Sequence, residues 1–213
     1  VAFFENYAIE NADYITTPSK FLYEKCINYG KKVSYISHGI DINTNVKSAK
    51  LKGKFKIVYT GAQTEYKRVD RIINAVKGLD CDLYLIGEIN EKFKKIAPKN
   101  VHFLGYIKHK DIGSYIKAAD LCIIPADQEN LKTHVYAKFG KPILAYKGLI
   151  QYFLTHKENA YLTTNFREGI KELINNRKLL QKITKGIKAF PVYTWNEIVD
   201  EYLKLLKGVI KNG

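Results

Sequence analysis

Arginine is scarce in this chain, and cysteine scarcer still. Of 35 basic residues among 213, four are arginines (Arg68, Arg71, Arg167, Arg177), so the formal net charge of +14 rests on lysine. Arginine is the side chain that grips phosphates and base edges bidentately. The lysines run along the whole chain and never form a block of five or six. That distribution reads first as a solvated surface and second as attraction toward an anionic membrane face or an acidic ligand. It argues against a specific nucleic-acid partner. The three cysteines, Cys26, Cys81 and Cys122, are isolated in apolar contexts. They give neither a disulfide framework nor a zinc spacing, which implies a reducing, cytoplasmic compartment.

Other absences narrow the chemistry. No apolar run approaches the roughly 20 residues that span a bilayer, and no signal-peptide pattern opens the sequence. His38, His102, His109, His134 and His156 have no partner at i+4 and no glutamate at ligand spacing, so no metal site is expected. A G-x-S-x-G elbow, a G-x-G-x-x-G fingerprint and a P-loop are all missing.

What is present is an alternation of strands and helices. Short apolar runs occur at Tyr14–Thr17, Val33–Ser37, Phe55–Thr60, Leu83–Ile86, Val101–Leu104, Leu121–Ile124 and Ile143–Ala145. Amphipathic segments lie between them, including Lys20–Tyr29, Arg68–Val76, Lys110–Ala118 and His134–Phe139. Most runs are continuously apolar, as strands buried on both faces are. The pattern predicts an α/β fold with a doubly wound, Rossmann-like parallel sheet. Asn165/Glu168 and Thr194/Glu197 have capping-box spacing. The second opens a helix with Ile198, Tyr202, Leu205, Leu206 and Val209 on one side.

Three segments follow from this. Residues 1–48 read as the tail of one α/β domain and an interdomain link, with a strand near Tyr14 that has no evident partner. Residues 49–190 read as a second, complete α/β domain, and residues 191–213 as a closing helix.

Within the second segment, "YTGAQTEYKRVDRIINAV" (59–76) sends a buried strand into a glycine and two cations. In doubly wound sheets, ligands bind beyond the carboxyl ends of strands. Gly61 lets the backbone approach a ligand, and Lys67 brings positive charge to the mouth of a helix, an arrangement suited to a diphosphate. A plain glycine turn with solvated cations fits the same residues.

Several motifs in order resemble the retaining GT-B glycosyltransferases of family 4, mainly their C-terminal donor-binding domain. "NADYITTPSKFLYEKC" looks like the last strand and helix of the acceptor domain, and "YISHGIDIN" like the P-N/H-G-V-D link. "YTGAQTEYKRVDRIINA" resembles G-R-L-x-x-x-K-G-x-D-x-L-I-x-A. "VHFLGYIKHKDIGSYIKAADLCIIPA" is similar to V-x-F-x-G-x-V followed by A-D and P-S. "AKFGKPILA" resembles A-M-A-x-G-x-P-V-V-A, and "WNEIVDEYLKLL" the closing helix that crosses back to the first domain.

The resemblance implies transfer of a hexosyl group from a UDP- or GDP-sugar to a glycan, glycolipid or glycoprotein precursor, without a metal or other cofactor. It places Gly61 and Lys67 at the donor diphosphate, and Gly105, Tyr106 and Ile107 at the nucleobase. Glu129, Asn130 and Leu131 fall at the donor sugar. It leaves the catalytic residues unassigned, since acceptor and catalytic groups come largely from the first domain, and it calls for an acceptor-domain partner or a missing N-terminal part. A peripheral position at the cytoplasmic face of a membrane suits such work. Two positions depart from the family pattern: Ala62 replaces its arginine, and Val135 stands where its second glutamate holds the ribose, a contact for which Lys132 or His134 is the available substitute. The alternatives are a non-catalytic nucleotide- or RNA-binding module and a degenerate transferase copy.

Overall fold

The computed structural model describes residues 2–127, 129–148 and 152–211. The chain divides into two compact units: Val1–Asp41 with Val192–Gly213, and Ile42–Pro191.

The first unit contains α1 (Ala2–Asn11), β1 (Ile15–Thr17), α2 (Lys20–Asn28), β2 (Val33–Tyr35) and the last helix of the chain, Trp195–Lys211. The strand near Tyr14 does have a partner: β1 pairs in parallel with β2, Ile15 opposite Val33. The separation of the two short runs hid this pairing, since a parallel pair needs the intervening helix to return the chain. Ser19 caps α2 by accepting the Leu22 N–H at 3.2 Å. Gly39 forms a parallel bridge with Tyr193, and a Cβ on it would come within 2.6 Å of the Trp195 ring. In the last helix Ile198 is buried and Tyr202 and Leu205 are half-buried, whereas Leu206 and Val209 are exposed. Its apolar arc is therefore wider than the surface it meets among the described residues.

The second unit is built on six parallel strands: β3 (Lys56–Thr60), β4 (Asp82–Ile86), β5 (Val101–Gly105), β6 (Leu121–Ile124), β7 (Ile143–Tyr146) and β8 (Tyr161–Thr163). Their spatial order is β5-β4-β3-β6-β7-β8. The chain moves outward from β3 to one edge, then returns to β6 on the other side of β3 and moves outward again. The β3/β6 boundary is thus the topological switch point, where neighbouring connections leave in opposite directions and open a crevice.

Alternation within the strands distributes the core. Ile57 and Tyr59 of β3 join one cluster with Leu83, Leu121 and Leu144. Over it lie α3 (Val69–Ala75), through Val69, Ile72 and Ile73, and α7 (Phe166–Asn175), through Phe166, Ile170 and Leu173. Thr60 is bonded by Tyr136 of α6 (Lys132–Lys138). The remaining helices are α4 (Glu91–Ile96), α5 (His109–Ala118), α8 (Arg177–Lys188) and α9, the Trp195–Lys211 helix of the first unit. Full burial of each such leucine or isoleucine contributes about 1.5–3 kcal/mol, so the sheet and its cover hold the strand ends rigidly. No helix among the described residues is long and apolar enough to cross a membrane.

Candidate functional site

The carboxyl ends of β3, β4 and β5 carry glycines in the left-handed half of backbone space. Gly61 (φ +129°) donates its N–H to Ile86 O at 2.7 Å. A Cβ on Gly87 (φ +139°) would stand 2.2 Å from Gly61 O, so two neighbouring strand ends pass backbone against backbone. Gly87 N–H in turn donates to Gly105 O at 2.9 Å. The result is a shelf of bare backbone along three strand ends. Tyr136 secures its inner end, meeting Thr60 N at 3.0 Å and Thr60 Oγ1 at 3.1 Å.

After Gly61 the chain makes a separate turn before the expected helix. Thr64 caps a separate 3-10 turn over Glu65–Lys67, its Oγ1 accepting the Lys67 N–H at 3.3 Å. Arg68 then adopts a left-handed conformation (φ 54°), and α3 begins only at Val69. The polar stretch carries its own cap, so it closes its own turn. Lys67 ends this turn, one residue before α3's N-cap, with its ammonium 5.0 Å from the Tyr66 ring centroid.

Across the switch point a second ammonium fills the space beside Gly61. A Cβ there would lie 2.8 Å from Lys132 Cε and 2.9 Å from its Nζ. Lys132 Nζ also lies 5.3 Å from the Tyr59 ring centroid and 3.4 Å from Asn130 Oδ1. Burial, and then the charge of Lys67, lowers its pKa to about 8. The nearby carboxylates serve other cations: Glu65 lies 3.7 Å from Lys92, and Asp70 3.9 Å from Arg68. Among the described residues, neither Lys67 nor Lys132 has a carboxylate within ion-pair distance. A buried ammonium with a like charge nearby is held at a cost in its charged form, and an anion placed beside it relieves that cost.

The loop from Pro125 to α6 supplies polar backbone beside this pair. Asn130 Oδ1 accepts the Lys132 N–H at 3.1 Å, and the carbonyls of Asn130 and Leu131 accept from Thr133 and His134. Among the described residues, the N–H groups of Asn130 and Leu131 meet no acceptor. Glu129 is half-buried, with Oε2 sealed from solvent. Gly105 (φ +70°), Tyr106 and Ile107 sit at the β5 edge of the sheet, at the far end of the shelf, with Tyr106 82% exposed.

The fold thus brings Gly61, Asn130 and Lys132 together, sets Lys67 near Lys132, and leaves Gly105–Ile107 two strands away. Sequence reasoning missed Lys132 as the partner of Gly61. It also missed Gly87 and Gln63, whose buried Nε2 has no partner among the described residues while its Oε1 accepts from Asn90 N at 3.3 Å. Gly87 had a signal, since three successive strands end in glycine. Lys132, weighed with His134 only for the ribose contact, had no signal for a place beside Gly61, because only the return of β6 beside β3 makes it a neighbour. Among the described residues, no cluster of three or more His, Cys, Asp or Glu side chains could hold a metal.

In doubly wound folds, a switch point flanked by cations is the place where anionic ligands bind. Residues 54–176 match the family model for glycosyl transferases group 1, and the chain belongs to that family. It is 24% identical over 221 residues to an uncharacterized glycosyltransferase of Methanocaldococcus jannaschii, covering 92% of this chain and 60% of that protein. Its fold resembles that of Anabaena HepE, solved in complex with UDP-glucose (TM-score 0.79, 18% identity, 95% of this chain and 66% of that one). It also resembles sucrose-phosphate synthase of Thermosynechococcus elongatus (TM-score 0.79, 18% identity, 99% and 62%). The fold is therefore the Rossmann-like one of GT-B proteins, and the chain spans less than two thirds of these relatives.

Proposed function

We propose that this chain is the donor-binding part of a retaining, family-4-type hexosyltransferase. The observation that carries the reading is Lys132 beside Gly61 at the switch point, with the charge of Lys67 near enough to act on it and, among the described residues, no carboxylate ion-paired with either. In the proposed complex both ammonium groups face the diphosphate of a nucleotide sugar. Each stabilises the negative charge that grows as the sugar leaves, and two fixed cations can do this without a metal. The missing Cβ at Gly61 makes the room in which the Lys132 ammonium stands beside the diphosphate.

Tyr106, with Gly105 and Ile107, takes the nucleobase, and the backbone N–H groups of Asn130 and Leu131, with Glu129, face the sugar. UDP is the first candidate because HepE was solved with UDP-glucose, and GDP is the second. The acceptor is a glycan, a glycolipid or a glycoprotein precursor, bound largely by a domain beyond this chain. Work at the cytoplasmic face of a membrane is in keeping with a net charge of +14.

Isothermal titration with UDP, GDP and ADP tests the reading, with Lys67→Ala and Lys132→Ala beside the parent. Micromolar binding of one nucleotide, weakened at least tenfold in each variant, is expected. No binding of any of the three by the folded chain overturns it. A second reading, a nucleotide-binding module without turnover, draws on Ala62 and Val135, where the family pattern has an arginine and a glutamate. It predicts the same binding, but no sugar transfer once the chain is joined to an acceptor domain.

A further inference from the structure

Two of the four arginines line a single hollow in the Ile42–Pro191 unit, formed by other residues than the Gly61–Lys132 crevice. This cavity of about 490 Å³ lies beyond the ends of β7 and β8 and beside α3, and its walls include Arg71, Asn74, Tyr146, Thr164 and Arg167.

Arg71 and Arg167 are half-buried residues, and each guanidinium is anchored through Nη1. Arg71 Nη1 donates to Pro125 O at 3.2 Å, and its guanidinium carbon lies 4.1 Å from the Tyr146 ring centroid. Arg167 Nη1 donates to Ala75 O at 3.1 Å and to Lys77 O at 2.5 Å, closing the carboxyl end of α3. Among the described residues, Nε and Nη2 of both arginines have no acceptor. No carboxylate lines the hollow, and Glu168, next to Arg167, pairs with Lys171 at 3.0 Å.

Carbonyl anchors orient a guanidinium but do not cancel its charge. Helix closure accounts for one nitrogen of Arg167, and the Pro125 contact for one nitrogen of Arg71. The remaining donors stay in fixed, planar forks whose rotamer freedom is already spent. That is the condition under which an oxyanion binds arginine well. Lysines, which dominate the rest of the surface, cannot offer it. We infer that this hollow is a second oxyanion site, taking the phosphate, sulfate or carboxylate group of a small ligand, and that it works independently of the proposed donor site.

The test is a titration of the ¹⁵N-labelled chain with inorganic phosphate, following the Nε–Hε signals of Arg71 and Arg167. Arg71→Lys and Arg167→Lys identify the two signals. Both are expected to shift and saturate at millimolar phosphate, and to do so equally in a Lys67→Ala/Lys132→Ala double variant. Thr164→Glu, which sets a carboxylate at the exposed rim without touching either anchor, is expected to abolish the shift. Asn74→Asp, at another exposed wall position, serves the same purpose should Thr164→Glu fail to fold. Signals that do not move, that drift without saturating, or that shift alike in the acidic variants overturn the inference.

Discussion

Lys132 occupies the volume that Gly61 leaves empty, its ammonium 2.9 Å from where a Cβ would stand. Glycine at this position does two things at once: it takes a backbone angle of +129°, and it admits a cation to the end of the central strand. Gly61→Ala is expected to displace the Lys132 head group and to strain the turn by about 1–3 kcal/mol. Nucleotide affinity should fall about tenfold, the size of one weakened charge contact. Gly78→Ala is the control, since Gly78 has φ +69° and nothing within 4 Å of its missing Cβ. It should lose stability and keep affinity, as read by urea titration and calorimetry. Equal affinity in the two variants would separate Lys132 from the site.

The lowered pKa of Lys132 has a defined sign in stability. Between about pH 8 and 10.5 the unfolded chain holds more protons at this residue than the folded one, so its contribution to stability grows as pH rises through that window. Below pH 8 its charge opposes folding. Lys132→Met is therefore expected to raise unfolding free energy at pH 7 by about 1–2 kcal/mol, with the gain shrinking toward pH 10. Nucleotide binding runs the other way: it needs the charged form, so affinity in the parent should weaken above pH 8 by up to about tenfold per unit. Chemical denaturation and calorimetry at pH 6.5, 7 and 9 measure both. A destabilised Lys132→Met would show instead that the lysine serves the fold.

Tyr136 is sealed in the core with its hydroxyl on Thr60 N and Oγ1. Tyr136→Phe leaves a buried N–H at the end of the central strand without a partner. A cost of about 1–3 kcal/mol is expected, seen as a lower urea midpoint with unchanged slope. An unchanged midpoint would mean that water reaches Thr60.

Two helical glycines should respond with opposite signs. A Cβ on Gly186 of α8 would stand 2.1 Å from Glu158 O, a backbone atom that cannot move aside. Gly186→Ala is expected to cost at least about 2 kcal/mol, or to give insoluble protein. A Cβ on Gly208 of α9 meets nothing within 4 Å. Gly208→Ala should stabilise by about 0.5–1 kcal/mol, through helix propensity alone. Thermal melts of the two variants decide the matter.

Much of the framework was legible in the sequence, because it rests on local rules. Phe55–Thr60 announces β3 through its unbroken apolar run. Thr194 and Glu197 form the full capping box, with Thr194 N donating to Glu197 Oε2 at 2.7 Å and Glu197 N to Thr194 Oγ1 at 3.3 Å. The matching pair upstream closes only half: Asn165 Oδ1 accepts the Glu168 N–H at 3.3 Å, while the Glu168 carboxylate turns to Lys171. A side chain with a nearby cation has two choices, and spacing does not distinguish them. β8, only three residues long at the sheet edge, escaped notice because so short a run has no periodicity to read. The helix expected over Arg68–Val76 is present as α3 between those two cap residues, and only the turn that Thr64 caps before it went unread.

The sequence by itself determined the order of strands and helices, the glycine at the end of each of three strands, and the predominance of lysine. These depend on burial patterns and backbone angles that each short segment carries within it. Only the tertiary structure decided that Lys132 is the neighbour of Gly61 and that Arg71 and Arg167 share a hollow. Those contacts form where β6 returns beside β3 and where α7 comes to lie along α3. Parallel strands are joined through long crossovers, so groups that meet at their ends come from distant parts of the chain, and no local pattern announces the meeting.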